Sequence, residues 1–247
     1  MDDAHDPARP EPDEPDADAV RRLPLFPLGT VVFPGTTAPL HVFEERYRAL
    51  VTDLAALPGP ERVFGTVAIR EGYEVGDHGT QSLHVIGSLL QLTEVEEHPD
   101  GTYDVLAVAR QRIRVHGLVD DPAPYPVAIA TLLEDHVPAP ASERAAAETA
   151  ARAGAEARFD DYRTALGELG GAVVIDGTLP QEALWYSYAL AAACPLPLSE
   201  RQELLEADDT TTRLHLLHHA LREELRAMRA IPSVPATDVA RTRWSPN

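Results

Sequence analysis

Apolar positions change their spacing several times along this chain, and each change predicts a different structure. Residues 1 to 20 hold almost no large apolar side chains, and Pro7, Pro10, Pro12 and Pro15 interrupt them. Such a segment cannot offset its ordering entropy, so residues 1–22 are expected to form a disordered acidic tail. From Leu23 the run Leu-Pro-Leu-Phe-Pro-Leu leads through Gly29 into the β-prone Thr30–Phe33, and Pro34-Gly35 marks a turn. The prolines forbid a helix and a central ladder position, which predicts an edge-type extended segment. Phe43, Tyr47, Leu50, Val51 and Leu54 then fall at helical spacing, predicting a helix from about His41 to Leu57 that stops at Pro58-Gly59-Pro60.

Strand-like runs follow at Arg62–Arg70, Leu83–Val95, Tyr103–Gly117 and Tyr125–Leu133. Between the second and third, the Pro-Asp-Gly core of His98–Thr102 signals a hairpin. In the third run Tyr103, Val105, Ala107, Ala109, Ile113 and Val115 alternate onto one face. The other face reads Leu106, Val108, Arg110, Arg112, Arg114, His116, passing from apolar to cationic. Beyond residue 136 the period becomes helical. Helices are expected over Ser142–Leu169, over Gln181–Ala193 with Pro180 at its first position, over a short stretch from Ser199 to Glu206 with Ser199 and Gln202 as a capping box, and over Thr211–Arg229. Leu214, Leu217, Leu221, Leu225 and Met228 form the buried stripe of the last helix. The fold class is therefore α+β: a β-rich lobe over 23–135 carrying one helix, a helical lobe over 136–230, and a flexible end over 231–247.

Charge and composition narrow the function. The net charge is −19, and all 21 basic residues are arginine. Without lysine, a Walker-type phosphate loop and any Ser-Lys dyad are excluded. The acidic field argues against nucleic acid. Cys194 is the only cysteine, so no internal disulfide and no cysteine-built zinc site can form. No run approaches the ~20 apolar residues of a membrane span, and the acidic N-terminus does not read as a secretory signal. A cytoplasmic protein without membrane contact is expected.

Few side chains invite chemistry. His215 and His219 stand four apart on a helix, but no third metal ligand is evident and a solvated helix flank explains them. Glu94, Glu96 and Glu97 read as a charged strand end rather than a general acid–base group. No G-x-S-x-G nucleophile turn occurs. The row Arg110, Arg112, Arg114 either pairs acids of the chain's own surface or grips carboxylates or phosphates of a partner. Phe26, Phe33, Phe43 and Tyr47 either pack the core or, where exposed in a groove, contact extended apolar peptides.

Several ordered motifs resemble the substrate-binding N-terminal domain of Lon-type proteases. LPLFPLGTVVFPG at Leu23–Gly35 and HVFEERYRALV at His41–Val51 are similar to its opening, with Pro24, Pro27, Gly29, Pro34, Gly35, Glu44 and Arg46 as signature positions. FGTVAIREG at Phe64–Gly72, Ile86–Leu90, Ala109–Val115 and the run from Cys194 to about Leu225 continue the likeness, which spans Leu23 to Arg229. The resemblance implies a PUA-like β pseudo-barrel beside helices, and a stand-alone, non-catalytic module without cofactor or metal. The implied partners are unfolded or tagged polypeptides, or a protease or other protein that it serves as an adaptor. The alternative is a PUA-like binder of nucleic acid or a small anionic ligand.

Overall fold

The computed structural model describes residues 20–70, 82–135, 141–171 and 178–230. In chain order the elements are β1 (Val20–Pro24), β2 (Thr37–Val42), α1 (Glu45–Ala55), β3 (Val63–Ile69), β4 (Leu83–Glu97), β5 (Tyr103–Val119), β6 (Val127–Leu133), α2 (Ala141–Glu168), α3 (Ala183–Ala193), α4 (Leu198–Glu206) and α5 (Thr210–Ala230). The sheet runs β1-β6-β5-β4-β3, antiparallel throughout, and β2 pairs with Tyr103–Val108 of β5.

Bulges curl this sheet. Arg110 has no partner between the pairs Leu89↔Gln111 and Leu90↔Ala109, and Thr93 has none between Leu92↔Ala107 and Glu94↔Leu106. His116 is skipped likewise against β6. Each extra residue bends its strand and increases the local twist. The chain after β1 then reaches β3 through parallel bridges Leu25↔Gly65 and Leu28↔Ala68. Phe26 N–H donates to Gly65 at 2.8 Å and Leu28 N–H to Val67 at 3.0 Å. Pro27 lies between these two donors, where an extended chain turns its amide away from β3, so its missing N–H removes no ladder bond. The result is a curled antiparallel half-barrel with helices against it. Pro34 and Gly35 make the expected turn: Thr36 N–H donates to Phe33 at 3.2 Å, and Gly35 takes a φ of +82° that an L side chain rarely adopts. The His98–Thr102 hairpin also forms, with Gly101 at φ +79°.

Boundaries differ from the sequence expectations where a partner strand overrides local pattern. Val20–Arg22 belong to β1, paired with Ile129–Thr131, so the expected tail is too long by three residues. Residues 1–19 and 231–247 lie outside the described residues. Thr37–Val42 is a strand, not the start of a helix, and α1 begins only at Glu45. Pro180 sits in coil ahead of α3 rather than at its first position. Ser199 caps nothing, because Pro197 holds the N-cap position of α4. Gln202 reaches instead across to Ile86 O at 3.0 Å.

The core forms three apolar clusters. One places Tyr47, Leu50, Val51 and Leu54 of α1 against Phe26, Val42, Phe64 and Leu90. A second lies among Leu23, Leu25, Val67, Ile113 and Val115. The largest joins α2 through α5 to Val31, Phe33, Ala68 and Ile86 of the β-rich half. The stripe predicted on α5 is buried as expected. Both halves therefore share apolar contacts instead of meeting through a linker alone.

Candidate functional site

Three of the four aromatic candidates for peptide contact are closed to solvent. Phe26, Phe33 and Tyr47 are core residues. The Phe26 and Tyr47 rings stack with centroids 4.1 Å apart, and the Arg46 guanidinium lies 4.6 Å from the Tyr47 centroid. Arg46 Nη2 pairs with Glu44 at 2.6 Å. This pillar explains Glu44, Arg46 and Tyr47 of the HVFEERYRALV motif as packing between the Pro-punctuated segment and α1. Burial pushes the Tyr47 hydroxyl up to about 12, against the opposing pull of Arg46. Phe33 tilts against Tyr188 beneath the Arg201 guanidinium, 5.2 Å from its centroid. Reading these three as peptide contacts is thus corrected: their side chains stabilise the fold. Phe43 differs, being 48% exposed between β2 and α1.

The arginine row also separates. Arg110 and Arg114 are exposed, whereas Arg112 is buried. The bulge at Arg110 breaks strict alternation, and Arg112 turns toward the helices. It donates to Ala207 O at 2.8 Å and Leu205 O at 3.1 Å, and lies 3.3 Å from Asp135. Asp135 also meets Arg213 Nη2 at 2.7 Å and accepts from the Tyr188 hydroxyl at 2.9 Å. Arg213 is fully buried, donates to Leu204 O and Ala207 O at 3.0 and 3.1 Å, and stands 3.9 Å over the Tyr188 ring. Arg112 is therefore a bracket between sheet and helices, and three adjacent cations are not offered to an anion. Arg110 Nε is held by Gln91 at 2.9 Å.

What remains outside is the outer face of β2, β5 and β4. Directly paired residues share a face, which aligns His41–Asp104–Glu96, Pro39–Leu106–Glu94 and Thr37–Val108–Gln91 across the three strands. Pro39, Leu106 and Val108 give a partly exposed apolar strip flanked by exposed Glu94 and Glu96, and Phe43 stands beyond the His41–Asp104 pair, its ring 6.2 Å from that of His41. Beside Phe43 sits a cluster absent from the sequence expectations. Asp104 takes His41 Nδ1 at 2.7 Å on one oxygen and His98 Nε2 at 2.8 Å on the other. The His41 hydrogen bond leads in holding the Asp104 carboxyl below its ordinary range. The bond to Asp104 leads in raising His98, and Glu96 and Asp100 add to it. The predicted hairpin brings His98 and Asp104 together, but His41 joins them only because Thr37–Val42 is a strand. Elsewhere His215 and His219 are exposed on α5, His116 meets Thr131 Oγ1 at 3.1 Å, and Glu94, Glu96 and Glu97 stay exposed at the end of β4.

Comparison with known proteins adds the lineage. Residues 22–223 match the family of the ATP-dependent protease La (LON) substrate-binding domain. Lon protease 2 of Herpetosiphon aurantiacus is 29% identical over 216 residues, covering 86% of this chain and 25% of that protein. The Lon protease of Escherichia coli (strain K12) is 24% identical over 214 residues, with 82% and 25% covered. The chain thus spans about a quarter of the length of the curated relatives it matches. A Lon N-terminal domain protein from Xanthomonas campestris has a TM-score of 0.53 at 25% identity, covering 84% of this chain and 98% of that one. The N-terminal domain of a Mycobacterium avium complex Lon protease has a TM-score of 0.57 at 14% identity, covering 82% and 99%. The motifs, the half-barrel with its helices, and a family match over most of the described residues converge: this chain belongs to the LON substrate-binding domain family.

Proposed function

We propose that this chain is a non-catalytic polypeptide-binding module, taking extended or unfolded segments on the outer face of β2, β5 and β4. One observation carries the reading: Phe43, 48% exposed, stands past the His41–Asp104 pair from the apolar strip of Pro39, Leu106 and Val108, on the face that the core does not use. A solvent-facing aromatic ring beside apolar sheet surface suits an extended apolar peptide, whose side chains alternate onto it. Glu94 and Glu96 at its rim favour segments flanked by basic residues. In this reading the module works in the cytoplasm as an adaptor or chaperone-like factor, presenting chains to a separate protease. The alternative, an anion site on the Arg110, Arg112, Arg114 row, is left without its central member, which is engaged inside the protein.

The test is binding of a reduced, carboxymethylated model protein and of fluorescent apolar peptides with and without flanking arginines. Phe43→Asp is expected to weaken binding about 5- to 30-fold, the effect of removing one exposed aromatic anchor, with its melting temperature nearly unchanged. Val85→Asp, at a similarly exposed site, serves as the control and leaves binding intact. Absence of binding by the parent protein across varied unfolded chains would overturn the reading. Equal losses in both variants would overturn the placement at Phe43.

A further inference from the structure

The cluster at the hairpin end of β5 has more in it than two hydrogen bonds. His41, His98 and Asp104 each offer one ligand atom, and these atoms all lie within 4.8 Å of one another. They come from three places in the chain: β2, the β4–β5 turn and the start of β5. Their side chains are 38%, 32% and 27% exposed, so an ion can arrive from solvent, and water can complete its coordination.

We propose that His41 Nδ1, His98 Nε2 and Asp104 form a site for a borderline divalent transition metal, zinc being the leading case. Two imidazole nitrogens and one carboxylate are a donor set that suits such ions far better than magnesium or calcium, which favour all-oxygen sites. Zinc bonds of about 2.0–2.2 Å in tetrahedral array place neighbouring ligand atoms roughly 3.4 Å apart. The present contacts of 2.7 and 2.8 Å, one on each oxygen of Asp104, need to open by a fraction of an ångström while the two nitrogens, within 4.8 Å of each other, come to the same spacing, by rotation of partly exposed side chains. On binding, each ring turns a lone pair to the ion from the nitrogen now facing Asp104 and carries its proton on the other nitrogen. Asp104 stays ionised. Glu96 and Asp100, which already raise the affinity of His98 for a proton, raise it for a cation by the same field. Arg48 of α1 lies against Gly101 of the turn and is a cation that opposes this field. The ion clips the β2 edge to the β4–β5 turn and leaves a coordination position open next to Phe43. This site stands on its own geometry and does not depend on the polypeptide reading.

The experiment uses the full chain, stripped with chelator and dialysed, and titrated calorimetrically with zinc chloride. A cobalt titration followed by visible absorbance runs in parallel. One equivalent is expected to bind and to raise the melting temperature, as any ligand selective for the folded state must. His41→Ala and His98→Ala are each expected to weaken binding at least about tenfold, while the double variant His215→Ala/His219→Ala leaves it unchanged. Far-UV circular dichroism in chelator checks that the single variants fold. Should they not fold, cobalt added to the parent protein must broaden the amide signals of residues 41, 98 and 104 first. No binding, binding that survives loss of both His41 and His98, or broadening confined to other histidines would each overturn the site.

Discussion

Gly87→Ala is expected to leave too little stability for a folded protein to be recovered. A Cβ built on Gly87 would sit 1.9 Å from the Thr66 carbonyl oxygen and 2.7 Å from Val67 Cγ1. The first of these is backbone, so no rotamer change relieves the clash. β3 and β4 must separate where Val67 pairs with Gly87, next to the Thr66 Oγ1 bond to Phe26 O at 2.8 Å. That bond helps hold the closing segment on β3. A cost of more than about 4 kcal/mol is expected, a large part of the ~5–15 kcal/mol that holds a domain together. Soluble yield and the urea midpoint measure it. Gly117→Ala is the comparison, since nothing lies within 4 Å of a Cβ there, and its change should stay within about 1 kcal/mol. Similar midpoints for the two variants would show that the strands do not approach as closely as described.

The second large effect is centred on Asp135. Its carboxylate faces Arg213 at 2.7 Å and Arg112 at 3.3 Å, and both guanidiniums are nearly sealed from water. Arginine cannot shed its charge in a protein. Asp135→Ala therefore leaves two buried cations without an anion, which is expected to cost about 3–5 kcal/mol. Arg213→Ala should cost a comparable amount by a different route, taking the side-chain donor from Leu204 O, leaving Ala207 O to Arg112 alone and opening space beside Tyr188. The double variant should lose less than the two together, because both remove one network. Chemical denaturation of all three variants measures this, and strict additivity would argue against a shared network.

Much of the fold was legible because it rests on local pattern. The α5 stripe, the Pro-Asp-Gly hairpin, the Pro34-Gly35 turn and the long β5 alternation all follow from spacing and turn chemistry. What escaped depends on distant partners. Val20–Arg22 look like tail until β6 supplies a ladder, and Thr37–Val42 carries a proline yet becomes a strand against β5. The arginine row looked continuous because alternation was carried through Arg110, where a bulge shifts the count. At the candidate site, the motif aromatics drew attention by their pattern, yet that pattern records core packing. Phe43, the exposed one, is distinguished by lying between the end of β2 and the start of α1, a boundary the helical spacing concealed. The His41–His98–Asp104 group needed that same unseen strand.

The polar brackets between sheet and helices share one habit. Arg112, Arg201, Gln202 and Arg213 all donate to main-chain carbonyls, among them those of Ala207, Val31, Ile86 and Leu204. Every residue type carries that acceptor, so the residues being gripped are free to change identity without releasing the grip. In these contacts it is the donors that need to keep their chemistry. A junction written this way constrains few letters of the sequence where sheet and helices meet.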